Sequence, residues 1–145
     1  MTFDDLPENW PDLPLDTPGL AADVADLFVG ERDREAGCVA FLLAGPDLRM
    51  TQPLLVHDVA PDADAGLVTP FLARLGPELG SSLGGLVFVR GRPGSVLLTD
   101  TDRRWHEAVI DACARSGLGL IGAYLATPSV VRAFPEPLRT AGLAS

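Results

Sequence analysis

Residues 85–127 read GLVFVRGRPGSVLLTDTDRRWHEAVIDACARSGLGLIGAYLAT, and the fold is decided by how this stretch divides. Leu86-Val87-Phe88-Val89, entered through Gly84-Gly85, is a short continuous apolar run, the pattern of a strand buried on both faces. It ends at the polar turn Arg90-Gly91-Arg92-Pro93-Gly94-Ser95. Thr99, Asp100, Thr101 and Asp102 then offer a run of helix caps, and Trp105, Val109, Ala112 and Cys113 recur at the spacing of one helical face. Gly117 stops that helix, and residues 118–126 form a second apolar run of strand length. Strand, long helix and strand in succession predict a helix laid on a sheet.

Working upstream, Cys38 to Ala44 is another continuous apolar run, bounded by Gly37 and Gly45 as a buried central strand would be. Gly45-Pro46-Asp47 is a turn, and a second strand from about Arg49 to Val59 completes an antiparallel hairpin. Pro61-Asp62-Ala63-Asp64 closes the hairpin off. Leu67, Val68, Phe71, Leu72 and Leu75 mark the next helix, which tolerates Pro70 only in its first turn. Nearer the start, Thr17-Pro18 reads as a helix opening with Thr17 or Asp16 as cap, followed by Leu20, Val24, Leu27 and Phe28 on one face and a stop near Gly30. Downstream, a short helix is expected from Ser129 to about Phe134, ended by Pro135 and Pro137.

The order of elements predicts one α/β (α+β) domain: a single mixed sheet of about four or more strands flanked by helices. Residues 1–18 are a proline-rich, extended arm expected to wrap its own domain rather than grip a partner. The domain proper spans 19–135, and 136–145 is a short tail.

Nearly half of the 145 residues are apolar and about a fifth are charged, a composition that builds a core. The net charge is −9, and all eleven basic residues are arginine. That balance argues against nonspecific nucleic-acid binding and against docking on anionic lipid, both of which need a basic surface. No run approaches the ~20 apolar residues of a membrane span, and Met1-Thr2-Phe3-Asp4-Asp5 is acidic where a secretory signal is basic. A cytoplasmic location is expected. Cys38 and Cys113 stand in apolar surroundings without a second cysteine or histidine at zinc-ligand spacing, so they read as buried free thiols.

Taken together, the strand ending in a polar turn, the Thr99–Asp102 helix opening and the Gly-Leu-Gly-Leu-Ile-Gly-Ala strand resemble the heart of a RadC-like protein of the JAB/MPN superfamily. The resemblance extends over roughly residues 20–127, with the hairpin at 38–58 and the helix at 66–79 in the corresponding places. It implies a JAB/MPN-like fold with cytidine-deaminase-like layering. The family motif is His-x-His-Pro followed by Ser-x-x-Asp, with a glutamate from the hairpin. Two imidazoles and a carboxylate hold zinc, and the glutamate deprotonates the water in the fourth position.

Here Arg90 and Arg92 stand in the histidine places, Pro93 keeps its place, Thr99 replaces the serine, and Asp102 corresponds to the third ligand one residue out of step. The hairpin offers only Gln52 and Asp58 for the glutamate. A guanidinium stays protonated and has no lone pair for zinc, so on this alignment the isopeptidase chemistry is lost. No metal, cofactor or catalytic residue is expected, and the implied role is a non-catalytic, metal-free domain in protein–protein interaction or self-association.

The residues themselves leave a second possibility. Arg90, Arg92 and Ser95, with Thr99, Asp100 and Asp102 close by, could bind a small anionic ligand or serve a metal-independent enzyme. The plain alternative is a solvated loop whose arginines pair with Asp100 and Asp102. His57-Asp58 could pair as base and orienting acid only across a bend, because adjacent strand residues face opposite ways. His106 is expected to face solvent or the helix edge, and Trp10, Trp105 and Tyr124 are the aromatics suited to an interface, with core packing the ordinary reading for Trp105.

Overall fold

The computed structural model describes residues 6–79 and 82–135, and in it the two continuous apolar runs lie side by side. They are β1 (Cys38–Ala44) and β3 (Gly85–Gly91), antiparallel neighbours with every residue buried. Both faces of these strands are covered by helices or chain, which is why neither alternates with polar residues. β2 (Met50–Val56) pairs antiparallel with β1 as the hairpin predicts, and β4 (Leu120–Ala126) pairs parallel with β3. With β5 (Val131–Ala133) at the far edge, the sheet order among the described residues is β2-β1-β3-β4-β5, mixed in direction and five strands wide. Pro53 is accommodated because β2 is an edge strand.

Among the described residues four α-helices complete the domain: α1 (Leu20–Phe28), α2 (Glu31–Ala36), α3 (Val68–Leu79) and α4 (Asp100–Ser116). On one face of the sheet Val68, Leu72 and Leu75 of α3 and Trp105, Val109, Ala112 and Cys113 of α4 pack on Val39, Phe41, Leu43, Phe88 and Leu125. On the other, Leu20, Val24 and Ala25 of α1 cover Ala40, Leu42, Val87 and Val89. Each fully buried leucine, valine or phenylalanine contributes about 1.5–3 kcal/mol, so these two apolar layers hold the sheet rigid between them. The arm over residues 6–18 packs on the second layer: Leu15 is buried, Pro14 bridges Arg49, and Trp10 meets Phe28 edge-on at 6.1 Å.

Four local expectations need correcting. The arm is not extended throughout: Trp10–Asp12 forms one turn of 3₁₀ helix, with Pro11 tolerated in that first turn. The segment 129–134 is not a helix: Val131–Ala133 forms β5, antiparallel to β4, after a tight turn in which Thr127 and Val130 exchange backbone hydrogen bonds. Pairing with the open edge of β4 decides the conformation of a run too short to nucleate a helix. α1 begins later than its polar opening suggested, with Gly19 as N-cap at φ 79° and no side-chain cap, and Leu27 lies at the surface. α2 was not expected at all, since six largely charged residues carry no apolar period. The tail 136–145 lies outside the described residues. Among those described, no helix is long and apolar enough to cross a membrane.

Candidate functional site

Phe88 faces the α3/α4 layer, and strand alternation sends Arg90 to the same side. The backbone at 91–92 then carries Arg92 towards the start of α4. That helix opens with a reciprocal capping box: Thr99 Oγ1 accepts from the Asp102 N–H at 3.1 Å, and Asp102 Oδ2 accepts from the Thr99 N–H at 2.9 Å. The cap fixes the Asp102 carboxylate at the helix N-terminus, facing the end of β3.

There the two arginines meet it. Arg90 Nε and Arg92 Nε both donate to Asp102 Oδ1 at 2.8 Å, and Arg92 Nη2 donates to Oδ2 at 2.6 Å. All three side chains are buried, Asp102 at 0% exposure. Two cations and one anion leave a surplus positive charge, which the backbone absorbs. Arg92 Nη1 donates to the carbonyls of Pro93 and Ser95 and its Nη2 to that of Leu97, while Arg90 Nη2 donates to the Pro61 carbonyl. The Arg90 guanidinium also lies over the Trp105 ring, 5.5 Å from its centroid, a favourable cation–π contact.

Burial alone would raise the Asp102 carboxyl, but the hydrogen bonds from Arg92 and Arg90 and from the Thr99 backbone override it and hold the group well below the usual carboxylate range. The carboxylate is therefore ionised and saturated. Arg92 spends all five N–H donors on internal acceptors.

Four of the six expected residues, Arg90, Arg92, Thr99 and Asp102, thus form one network. Ser95 contributes its carbonyl to Arg92, and its hydroxyl accepts from the Leu97 N–H at 3.0 Å. Asp100 stays outside, exposed and paired with Arg103 at 3.3 Å. The loop is exposed at Pro93, Gly94, Ser95 and Leu97, as the plain reading had it, but its arginines are turned inward and pair with Asp102 and not with Asp100. Sequence reasoning missed the Pro61 carbonyl and the indole of Trp105 as parts of the cluster. Trp105 carried a signal, since it follows Asp102 by three residues on the same helix face.

The remaining polar candidates do not join this site. His57 Nδ1 lies 2.8 Å from Asp33 Oδ1 at the surface, and its chain neighbour Asp58 takes a left-handed φ of 55°. His106 stacks obliquely on Phe134 at 4.6 Å, with burial lowering its pKa against a smaller opposing effect of Glu107. Gln52 is exposed on β2. Cys38 and Cys113 are buried free thiols, each pushed up to about 11 chiefly by desolvation. Among the described residues no three histidines, cysteines or carboxylates are grouped to hold a metal ion.

No family model, curated protein or solved structure matches the chain.

Proposed function

We propose that this chain is a metal-free JAB-like domain that works by binding another protein, with an internal ion cluster standing where related domains hold zinc. One observation supports the reading. Of the three positions that the resemblance sets against two histidine ligands and an aspartate, Arg90 and Arg92 each donate a direct hydrogen bond to the third, Asp102. Their chemistry does not fit zinc, because guanidinium groups offer no lone pair and the sole carboxylate is already bound by both. The cluster replaces the metal's cross-link between strand and helix with ion pairs, leaving a folded scaffold without the electrophile.

The anion-binding reading draws on the same turn. An anion there would have to displace Asp102 or the carbonyls that occupy Arg92, at the cost of leaving those groups buried and unpaired. The protein-binding reading asks for no such exchange.

Elemental analysis of purified, untagged protein, with protein concentration measured in the same sample, tests the reading. Zinc well below stoichiometric and no turnover of a ubiquitin-like or peptide substrate are expected; near-stoichiometric zinc or turnover would overturn it. Thermal shift with inorganic phosphate decides the alternative. Stabilisation that disappears in an Arg90→Ala, Arg92→Ala protein would favour the anion site.

A further inference from the structure

Beside the ion cluster an apolar pocket of about 180 Å³ opens on the α3/α4 face, lined by Val39, Phe41, Val56, Leu67, Phe71 and Trp105 among others. We infer that this pocket is a docking site for one aliphatic side chain, of about leucine size, carried by a basic segment of a partner protein. The inference deepens the protein-binding reading and rests on it.

Three observations carry it. First, the walls are fixed before anything binds. Trp105 Nε1 donates to the Ala63 carbonyl at 3.1 Å, and Phe71 packs on Phe41 with ring centroids 5.1 Å apart. A preformed apolar slot avoids much of the ordering cost that weakens association.

Second, apolar surface is left open at its mouth and around the same end of the sheet. Leu67 is 64% exposed and Val56 41%, and both line the pocket. The pairings Val56↔Val39, Val39↔Arg90 and Arg90↔Leu125 bring the ends of four strands together there. Leu97, at 71% exposure, and Val130, at 41%, lie on the turns that follow β3 and β4 at that end. A scattered surface leucine needs no explanation, but two exposed aliphatic residues, Leu67 and Val56, on the wall of one apolar cleft mark an interaction surface.

Third, the charge around the pocket selects the partner. The loop that supplies Val59 and leads to Leu67 carries Asp58, Asp62 and Asp64, all exposed. Arg90, the cation beneath the indole, is buried and shares Asp102 with Arg92, and the surplus positive charge of that cluster is held by backbone carbonyls away from the rim. The exposed cations of the adjoining helices are Arg74 on α3 and Arg103, Arg104 and Arg115 on α4; Arg103 and Arg115 are paired with Asp100 and Asp111, and the chain as a whole has a net charge of −9. A partner with lysine or arginine beside its aliphatic anchor gains both the slot and the acidic rim, whereas an acidic partner is repelled.

The full chain carrying Trp10→Phe keeps Trp105 as its one indole reporter. The probe is the peptide acetyl-Lys-Arg-Leu-Arg-Lys-amide, compared with a version in which Leu is Ser and one in which every basic residue is Glu. A saturable change in Trp105 emission is expected with the first peptide, and roughly tenfold weaker binding or less with the other two. Leu67→Ser with Val56→Ser should weaken the first peptide by a similar factor. Asp62→Lys, which alters only an exposed residue, should weaken it in the same direction if the apolar variant fails to fold.

The docking site is overturned by equal responses to all three peptides, or by no saturable response below about 1 mM. Self-association of the chain that Leu67→Ser abolishes would assign the pocket to a second copy instead. Each of these outcomes is separate from zinc content and turnover, so the docking site can fail while the metal-free reading stands.

Discussion

The Arg92 guanidinium grips both oxygens of Asp102, Nε on Oδ1 at 2.8 Å and Nη2 on Oδ2 at 2.6 Å. This two-pronged pair joins the turn after β3 to the first turn of α4, and Arg90 adds a third bond to the same carboxylate. The planar fork of arginine suits that geometry and lysine does not. The cluster therefore fixes how the sheet meets its longest helix, on the side where the Trp105 pocket opens.

Removing the anion should be more damaging than removing the whole cluster. Asp102→Ala leaves two buried guanidinium groups facing each other and deletes half of the capping box, so a loss of about 3–5 kcal/mol is expected. Replacing Arg90 with Met and both Arg92 and Asp102 with Leu removes every buried charge and should cost less than the single change. Urea unfolding of the two proteins checks the order; a triple variant less stable than Asp102→Ala would contradict it.

The same carboxylate should make stability sensitive to acid. Its folded-state pKa lies below the ordinary value of 3.8, so its contribution is complete above about pH 4 and is lost as pH falls through that value towards the lower folded one. The stability difference between the wild type and Asp102→Asn should accordingly be constant near neutrality and shrink below about pH 4. Chemical denaturation from pH 7 to pH 3 measures it. A difference that stays constant throughout would mean the ion pairs are not formed.

Much of this arrangement was legible in the chain, and the failures have physical causes. The apolar runs of β1 and β3 and the caps of α4 each satisfy pattern, length and end signals at once, so tertiary structure had nothing to override. β5 was misread because Val130-Val131-Arg132-Ala133-Phe134 is short, set between prolines and apolar but for Arg132, and only the partner strand β4 decides its form. The arginines' pairing with Asp102 was foreseen, but not the choice of Asp102 over Asp100. Residues two apart on a helix point in different directions, and the capping box already commits Asp102 inward. Burial of the cluster was invisible, because paired charges and solvated ones look alike in a sequence.

The two thiols should be silent in the folded protein. Cys38 and Cys113 are buried and their pKa values are pushed up to about 11, so almost no thiolate is present or reachable near pH 8. An aromatic disulfide reagent at that pH should react with neither until denaturant is added, and then with both. Rapid labelling of the native protein would show that one face of the sheet opens readily.

Gly91 and Cys38 should depend on each other. They face one another across the β3–β1 ladder, and a Cβ on Gly91 would run into the Cys38 sulfur, with Val29 and the Arg34 backbone close behind. The glycine between Arg90 and Arg92 is thus set by packing on the α1/α2 side, while its two neighbours serve the cluster on the other. Gly91→Ala alone should cost about 1–3 kcal/mol by overpacking. Cys38→Ala alone removes a buried sulfur and should also destabilise, by leaving a void. The double variant moves the methyl group into the space that the sulfur vacates, so it should be more stable than the sum of the two losses predicts, by about 0.5 kcal/mol or more. A double-mutant cycle by urea unfolding measures this coupling. Strict additivity would place the obstruction at Val29 and Arg34 instead of the thiol.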